Sequence, residues 1–386
     1  MKEAAQRALD VGGLDPIDSR LGGASGVTRG RWMSRRLALG LASAPMPASA
    51  LLLVGAAVGP LGLGLLTPPV LAALQPATTA ALVALGVLIG LDIELVRRSR
   101  VPRPVAGASL ESGLTLLGVS LVFVALATRP WWSWPGLALL PWMLGVAAGG
   151  SATPTTGDSP TVAGRLGDLD DLLPIVAGGV LLAVAAGESA VDAVALFATA
   201  VLLAAVIAFA GSLLVAETAS EDEQRVYAMG TLLLLTGVAA YLSASALLVG
   251  MLAGATWNAS TGGGRDRLAR DFQYLQHPVV VLLLVVAGAR ASITVEMAAL
   301  GGVFALVRVG GKVAGGALAA GVVPGLDSRV GLGLLASGAG GAAFALSAFT
   351  ALDGGTAAEA LVSIVVVGAV LSDLLALLVS PQEARA

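Results

Sequence analysis

Arg308 and Lys312 stand four residues apart inside the apolar stretch 296–319, a spacing that puts both on one face of a helix. If that stretch crosses a bilayer, each cation costs on the order of 3 kcal/mol near the centre, so both must face protein and at least one must meet an acid. At about 1.5 Å rise per residue, Lys312 lies roughly 10 Å from the nearer end of its stretch, and Glu111 in 104–128 and Asp373 in 357–380 come out at the same depth. The expected cluster is therefore Glu111–Lys312–Asp373. A carboxylate held there can take up and release a proton, with an affinity set by the competition between burial and the Lys312 charge. A static ion pair accounts for the same spacing. Two further acidic sites stand out: Asp158-Ser159-Pro160, where Asp158 could meet a cation or cap a helix, and Asp170-Asp171, directly before the apolar run 172–187.

The elements that position these residues follow from composition. Of 386 residues, 56% are apolar and only 12% charged, with 22 Lys+Arg and 25 Asp+Glu. The mean hydropathy is +0.89, so the chain reads as a polytopic membrane protein in contact with a lipid bilayer rather than as two or three soluble domains. The net charge of −3 excludes a nucleic-acid surface, and the lack of cysteine excludes disulfides, thiol catalysis and cysteine-held metals. His277 is the sole histidine. No Ser/His, paired-Asp protease or metal-binding constellation falls in the apolar stretches, so neither an enzyme nor a cofactor is expected. Glycine, at 51 residues, permits close helix–helix approach.

Hydropathy and helix breakers predict about twelve spans: 37–66, 78–96, 104–128, 131–150 with an extension to 166 left open, 172–187, 190–216, 228–242, 244–257, 278–292, 296–319, 329–351 and 357–380. Residues 1–36 read as a cytoplasmic tail, 37–380 as the membrane domain and 381–386 as a short cytoplasmic end. Basic residues cluster in alternate loops, at Arg29–Arg36, Arg97–Arg103, Arg165 and Arg265–Arg270, which places both termini in the cytoplasm of a multi-pass inner-membrane protein. Trp131, Trp132 and Trp134 then fall at the outer interface. An internal repeat is visible as well. The segment starting Ser49-Ala-Leu-Leu resembles that starting Ser245-Ala-Leu-Leu, and each precedes an apolar helix ending in a glycine turn, at Gly90 or Gly288. The repeats, about 37–187 and 244–380, have an odd number of spans each and run in opposite senses.

With these landmarks in order, the chain resembles the monovalent cation:proton antiporter superfamily. The matching pieces are Gly55-Ala-Ala-Val-Gly-Pro-Leu-Gly, Gly90-Leu-Asp-Ile-Glu, Asp158-Ser-Pro-Thr, Ala244-Ser-Ala-Leu-Leu-Val-Gly, Arg308-Val-Gly-Gly-Lys312 and Gly331-Leu-Gly-Leu-Leu-Ala-Ser-Gly. The resemblance implies an all-α fold of two inverted five-helix repeats, with spans 4 and 11 broken and crossing at mid-membrane. It further implies secondary active exchange of Na⁺ or K⁺ for H⁺ by movement of a core against a scaffold. The alternative is a homologue without coupled antiport, acting as facilitator, sensor or assembly partner. Oligomeric state is left open, a homodimer included. Breaks are expected at Gly338-Ala-Gly-Gly341 and along Gly149–Pro160, where exposed carbonyls can meet a cation.

The family carries an acid pair in the middle of span five, and the run Leu172–Ala186 has no acid at all. Either Asp170-Asp171 is that pair, with a shortened connection before it, or the acids are lost and Glu111 or Asp373 has taken over the proton. Length favours loss, because residues 161–169, with Arg165 and Asp168, leave no room for half a span and a turn. The span-ten basic residue that would pair with the acid is present, as Arg308 or Lys312.

Overall fold

The computed structural model describes residues 48–93, 103–129, 138–151, 166–167, 169–217, 220–259 and 264–379. The expected tail 1–36, the tryptophans of 131–134, the basic loop Arg97–Arg100 and the end 381–386 lie outside them.

In hydrocarbon every backbone N–H and C=O must be satisfied within the chain, so runs of Leu, Val, Ala and Gly fold as helices. Among the described residues, five helices are long and apolar enough to cross a membrane: Pro104–Ala127, Ala190–Glu217, Arg270–Arg290, Val295–Val322 and Thr356–Leu378. The full order begins with α1 (Ala48–Val58), α2 (Pro68–Ala73), α3 (Gln75–Asp92), α4 (Arg103–Ala127) and α5 (Leu140–Gly149). It continues with α6 (Leu172–Ala186), α7 (Ala190–Glu217), α8 (Glu221–Tyr241), α9 (Ala246–Ala259) and α10 (Gly264–Arg290). The last four are α11 (Val295–Val322), α12 (Val330–Gly333), α13 (Ala339–Ala351) and α14 (Thr356–Val379). No strand occurs among the described residues.

Backbone contacts display the inverted repeat. Its first half is α1, α3, α4, α5 and α6, and its second is α9, α10, α11, α12–α13 and α14. A Cβ on Gly55 of α1 would strike Val285 of α10, and one on Gly288 of α10 would strike Leu52 of α1. The reciprocal pair behaves alike: Gly86 and Gly90 of α3 lie on the backbone of Leu247–Ala255 in α9, and Gly250 and Gly254 of α9 lie on Val83–Leu91. First helix therefore packs on second in both directions. Third packs on third, since a Cβ on Gly311 or Gly315 of α11 would come within 2.9 Å of the Cα of Thr115 or Glu111 in α4. Fourth packs on fourth, where Gly341 of α13 meets the carbonyl of Ala147 in α5. A two-fold exchange of the halves requires this set of pairings. Counting α2 as a connector, the spans α1 and α3 to α8 separate the two starts, an odd number that reverses direction.

Several expected boundaries shift. Span one ends at Val58, because Gly59-Pro60 begins a turn that closes through Gly64 at φ +64°. The ninth helix begins at Gly264 rather than 278 and carries Pro278 inside it. Arg265, Arg267 and Arg270 are therefore on a helix and not in a loop, and exposed His277 sits mid-helix. A proline inside a helix is tolerated where neighbouring groups absorb the freed carbonyl.

The eleventh span is broken, but earlier than its glycines suggest. Helix α12 stops at Gly333 and α13 starts at Ala339, so Gly340 and Gly341 lie in the first turn of the second half-helix. They are small because Asp171 and Ala147 press against them there. The fourth span breaks at Gly149, with Gly150 extended at φ −75°, ψ 155°.

Candidate functional site

The two breaks meet in the protein interior, and each exposes backbone groups that a continuous helix would have paired. At the end of α5 these are the carbonyls of Gly149 and Gly150; in the α12–α13 break they are the carbonyls of Leu335 and Ala336 and the N–H of Ser337. The C-terminal end of a helix is the negative end of its dipole, and cations settle there. Arg308 of α11 donates through Nη1 to Leu335 O at 2.7 Å and through Nη2 to Gly150 O at 2.7 Å, which ties one break to the other. One turn further on, Lys312 donates to Gly149 O. The i,i+4 spacing of the two cations is thus the spacing of the crossing itself.

Lys312 also meets two acids. Its Nζ lies 3.1 Å from Glu111 Oε1 on α4 and 3.0 Å from Asp170 Oδ2, just before α6, and all three side chains are fully buried. Thr115 Oγ1 donates to Glu111 Oε1 at 3.3 Å. Ser151, the second residue past α5, donates through Oγ to Asp170 Oδ2. The other oxygen of Asp170, Oδ1, is buried with no hydrogen-bond partner among the described residues.

Of the other two acids at the crossing, Asp373 serves N–H groups. Asp373 of α14 accepts from Ser337 N at 2.6 Å and from Ser49 N, at the start of α1, at 3.1 Å. The Asp171 carboxylate lies against Gly150 and Gly340, the latter in the first turn of α13, where a negative charge is favoured.

The expected Glu111–Lys312 pair is present, at the depth that helix rise assigns. Asp373 is not its third member: it forms no ion pair among the described residues and binds backbone N–H groups instead. The place assigned to it is taken by Asp170. The length argument against Asp170-Asp171 found no room in 161–169 for half a span and a turn; Asp171 is the N-cap of α6, and Leu166, Gly167 and Leu169 before it are helical. Asp158 and Ser159 lie outside the described residues. Ser151 and Thr115 were missed by sequence reasoning; for Ser151 the signal was its place directly after Gly149-Gly150 in an expected break.

Fold and site together define a class: polytopic helical membrane proteins whose two inverted five-span repeats cross at broken helices over buried charge. Among solved structures of this class, the sodium proton antiporter MjNhaP1 from Methanocaldococcus jannaschii, determined at pH 8, superposes with a TM-score of 0.62 over 89% of this chain and 95% of that one, at 16% sequence identity. The likeness shows that this chain has the antiporter fold. No protein-family profile matches the sequence, and no curated protein matches it.

Proposed function

We propose that the chain is a secondary active transporter that exchanges a monovalent cation, Na⁺ or K⁺, for H⁺, and that Asp170 carries the exchanged species. The observation that supports this reading is a fully buried carboxylate at the crossing of two broken helices, with Oδ2 shared by Lys312 and Ser151 and Oδ1 open. A buried carboxylate oxygen without a donor is costly. A proton or a metal ion satisfies it equally, and the two exclude each other on one oxygen. Asp170 with a bound cation and Asp170 with a bound proton are the two loaded forms, and competition between them couples the fluxes.

Ser151 Oγ and the carbonyls around Gly149 and Gly150 supply neutral oxygens beside the charge, a donor set suited to a partly dehydrated monovalent ion. Alternating access then follows from movement of a core, α4–α6 with α11–α14, against a scaffold of α1, α3 and α7–α10. The glycine seams α1·α10 and α3·α9 leave almost no space between their backbones, which suits a scaffold that stays rigid.

The test is purified protein in liposomes with a pH-sensitive dye inside, pulsed with Na⁺, K⁺ or Li⁺. Cation-dependent pH change is expected from the wild type and its loss from Asp170→Asn, which removes the charge and preserves shape. Wild-type traces identical to empty liposomes for all three cations would refute exchange and favour a homologue that kept only the fold.

A further inference from the structure

Arg290 stands away from the crossing and has no part in the site described above. It is the last residue of α10, and it reaches from the scaffold to the core. Its Nη2 donates to Leu71 O of α2 at 2.9 Å, which fixes the guanidinium on the scaffold side. The guanidinium carbon then lies 4.3 Å from the ring centroid of Phe349, in the last turn of core helix α13. Exposed Glu359, in the first turn of α14, adds a negative charge from the core side. Two backbone N–H groups join scaffold to core at the same end of the bundle. Ser292 N donates to Ser363 Oγ of α14 at 2.9 Å, and Ala246 N of α9 donates to Ser347 Oγ of α13 at 3.2 Å. The internal repeat sets Gly90-Leu-Asp92 against Gly288-Ala-Arg290, so the arginine is particular to this end and not a product of the repeat.

A cavity of about 530 Å³ lies at this end between α3, α8 and the tip of α13, and its polar lining is Gln75, Thr79, Thr236, Ser243, Thr350 and Asp353. Along α13 it reaches no deeper than Thr350, and every residue below that, from Phe349 back to Gly341, is buried. About 12 Å of packed helix therefore separates the cavity from the break at the crossing. Phe349, the residue under Arg290, is the first of that packed stretch.

We infer that Arg290 is a positioning residue for exchange: its contact with Phe349 holds α13 against the scaffold and keeps the cavity from reaching Asp170, so this end of the pathway opens only when ring and guanidinium part. The inference rests on exchange by movement of the core. A cation on an aromatic face shifts a two-state balance by about two- to thirtyfold, enough to favour the closed arrangement without locking it. Leu71 O keeps the guanidinium in place while the ring leaves, so the contact re-forms on return.

The experiment places single cysteines in this cysteine-free chain, reconstituted in liposomes with a membrane-impermeant maleimide on both sides. Ser347→Cys lies beneath the closure and Thr350→Cys lines the cavity. Thr350→Cys should label at the same rate with or without Arg290. Ser347→Cys should label slowly in the intact background and about two- to thirtyfold faster with Arg290→Gln or Phe349→Leu. The two together should be no faster than either, because they remove one contact. Phe349→Tyr, which keeps a ring, should label as slowly as the intact background. Rates at Ser347→Cys that neither substitution changes, effects that multiply in the double variant, or Phe349→Tyr as fast as Phe349→Leu overturn the inference. So does a Thr350→Cys rate that rises in step with Ser347→Cys, which marks general loosening. Fast labelling of Ser347→Cys with Arg290 and Phe349 intact overturns it whether or not the other variants fold. Labelling is read without transport, so these outcomes leave exchange at Asp170 standing; absence of cation-driven flux in the wild type instead removes the exchange reading.

Discussion

Removing Lys312 tests the charge balance of the crossing through stability alone. In the folded protein Glu111 and Asp170 both face Lys312, the cation that touches both, at 3.1 and 3.0 Å. Lys312→Met keeps the length and removes the charge. Breaking a buried pair by deleting one member costs about 3–5 kcal/mol, because the partner is left uncompensated. The Gly149 carbonyl also loses its donor, which adds about 1–3 kcal/mol. The lower figure alone shifts the folding equilibrium by more than about a hundredfold.

The decisive variant is the double one. Lys312→Met with Glu111→Gln deletes one charge of each sign, so it should be less damaging than the sum of the two single changes, by about 1–3 kcal/mol of coupling. Denaturant unfolding in detergent, followed by the fluorescence of the six tryptophans, reads all four corners of the cycle. A double variant as unstable as the sum of its parts would refute the claim that Glu111 and Lys312 compensate each other.

Asp373→Ala should destabilise by about 1–3 kcal/mol by stripping the acceptor from Ser337 N and Ser49 N, while leaving the cation concentration for half-maximal exchange unchanged. A shift in that concentration would return Asp373 to the ion site. Movement of core against scaffold can be trapped where α6 meets α9: a Cβ on Gly179 would lie 3.4 Å from the Cβ of Leu248, close to disulfide geometry, in a chain without native cysteine. Oxidised Gly179→Cys/Leu248→Cys should stop dye-reported exchange and reduction should restore it; full activity in the cross-linked state would rule out sliding at this seam.

What the sequence made legible followed from which physical rule applied. Lipid forbids unpaired backbone, so helices and their repeat were readable from hydropathy, and the cost of buried charge sent Lys312 to Glu111 by depth alone. That same depth rule misplaced Asp373 and overlooked Asp170, because it measures position along straight, complete spans. At the crossing neither condition holds. There α6 begins inside the protein, and the break before α13 puts an N–H at Ser337 where a helix would have hidden it. Asp373 has the depth expected of a partner for Lys312, but the nearer demand is that N–H, and an acid next to an orphan donor satisfies it first. Asp170 is left for Lys312, with an oxygen to spare. A crossing of broken helices thus sorts its acids by what the backbone lacks: Asp373, beside exposed N–H groups, is taken up by them, and Asp170, beside exposed carbonyls where the backbone already attracts cations, keeps one oxygen without a partner among the described residues.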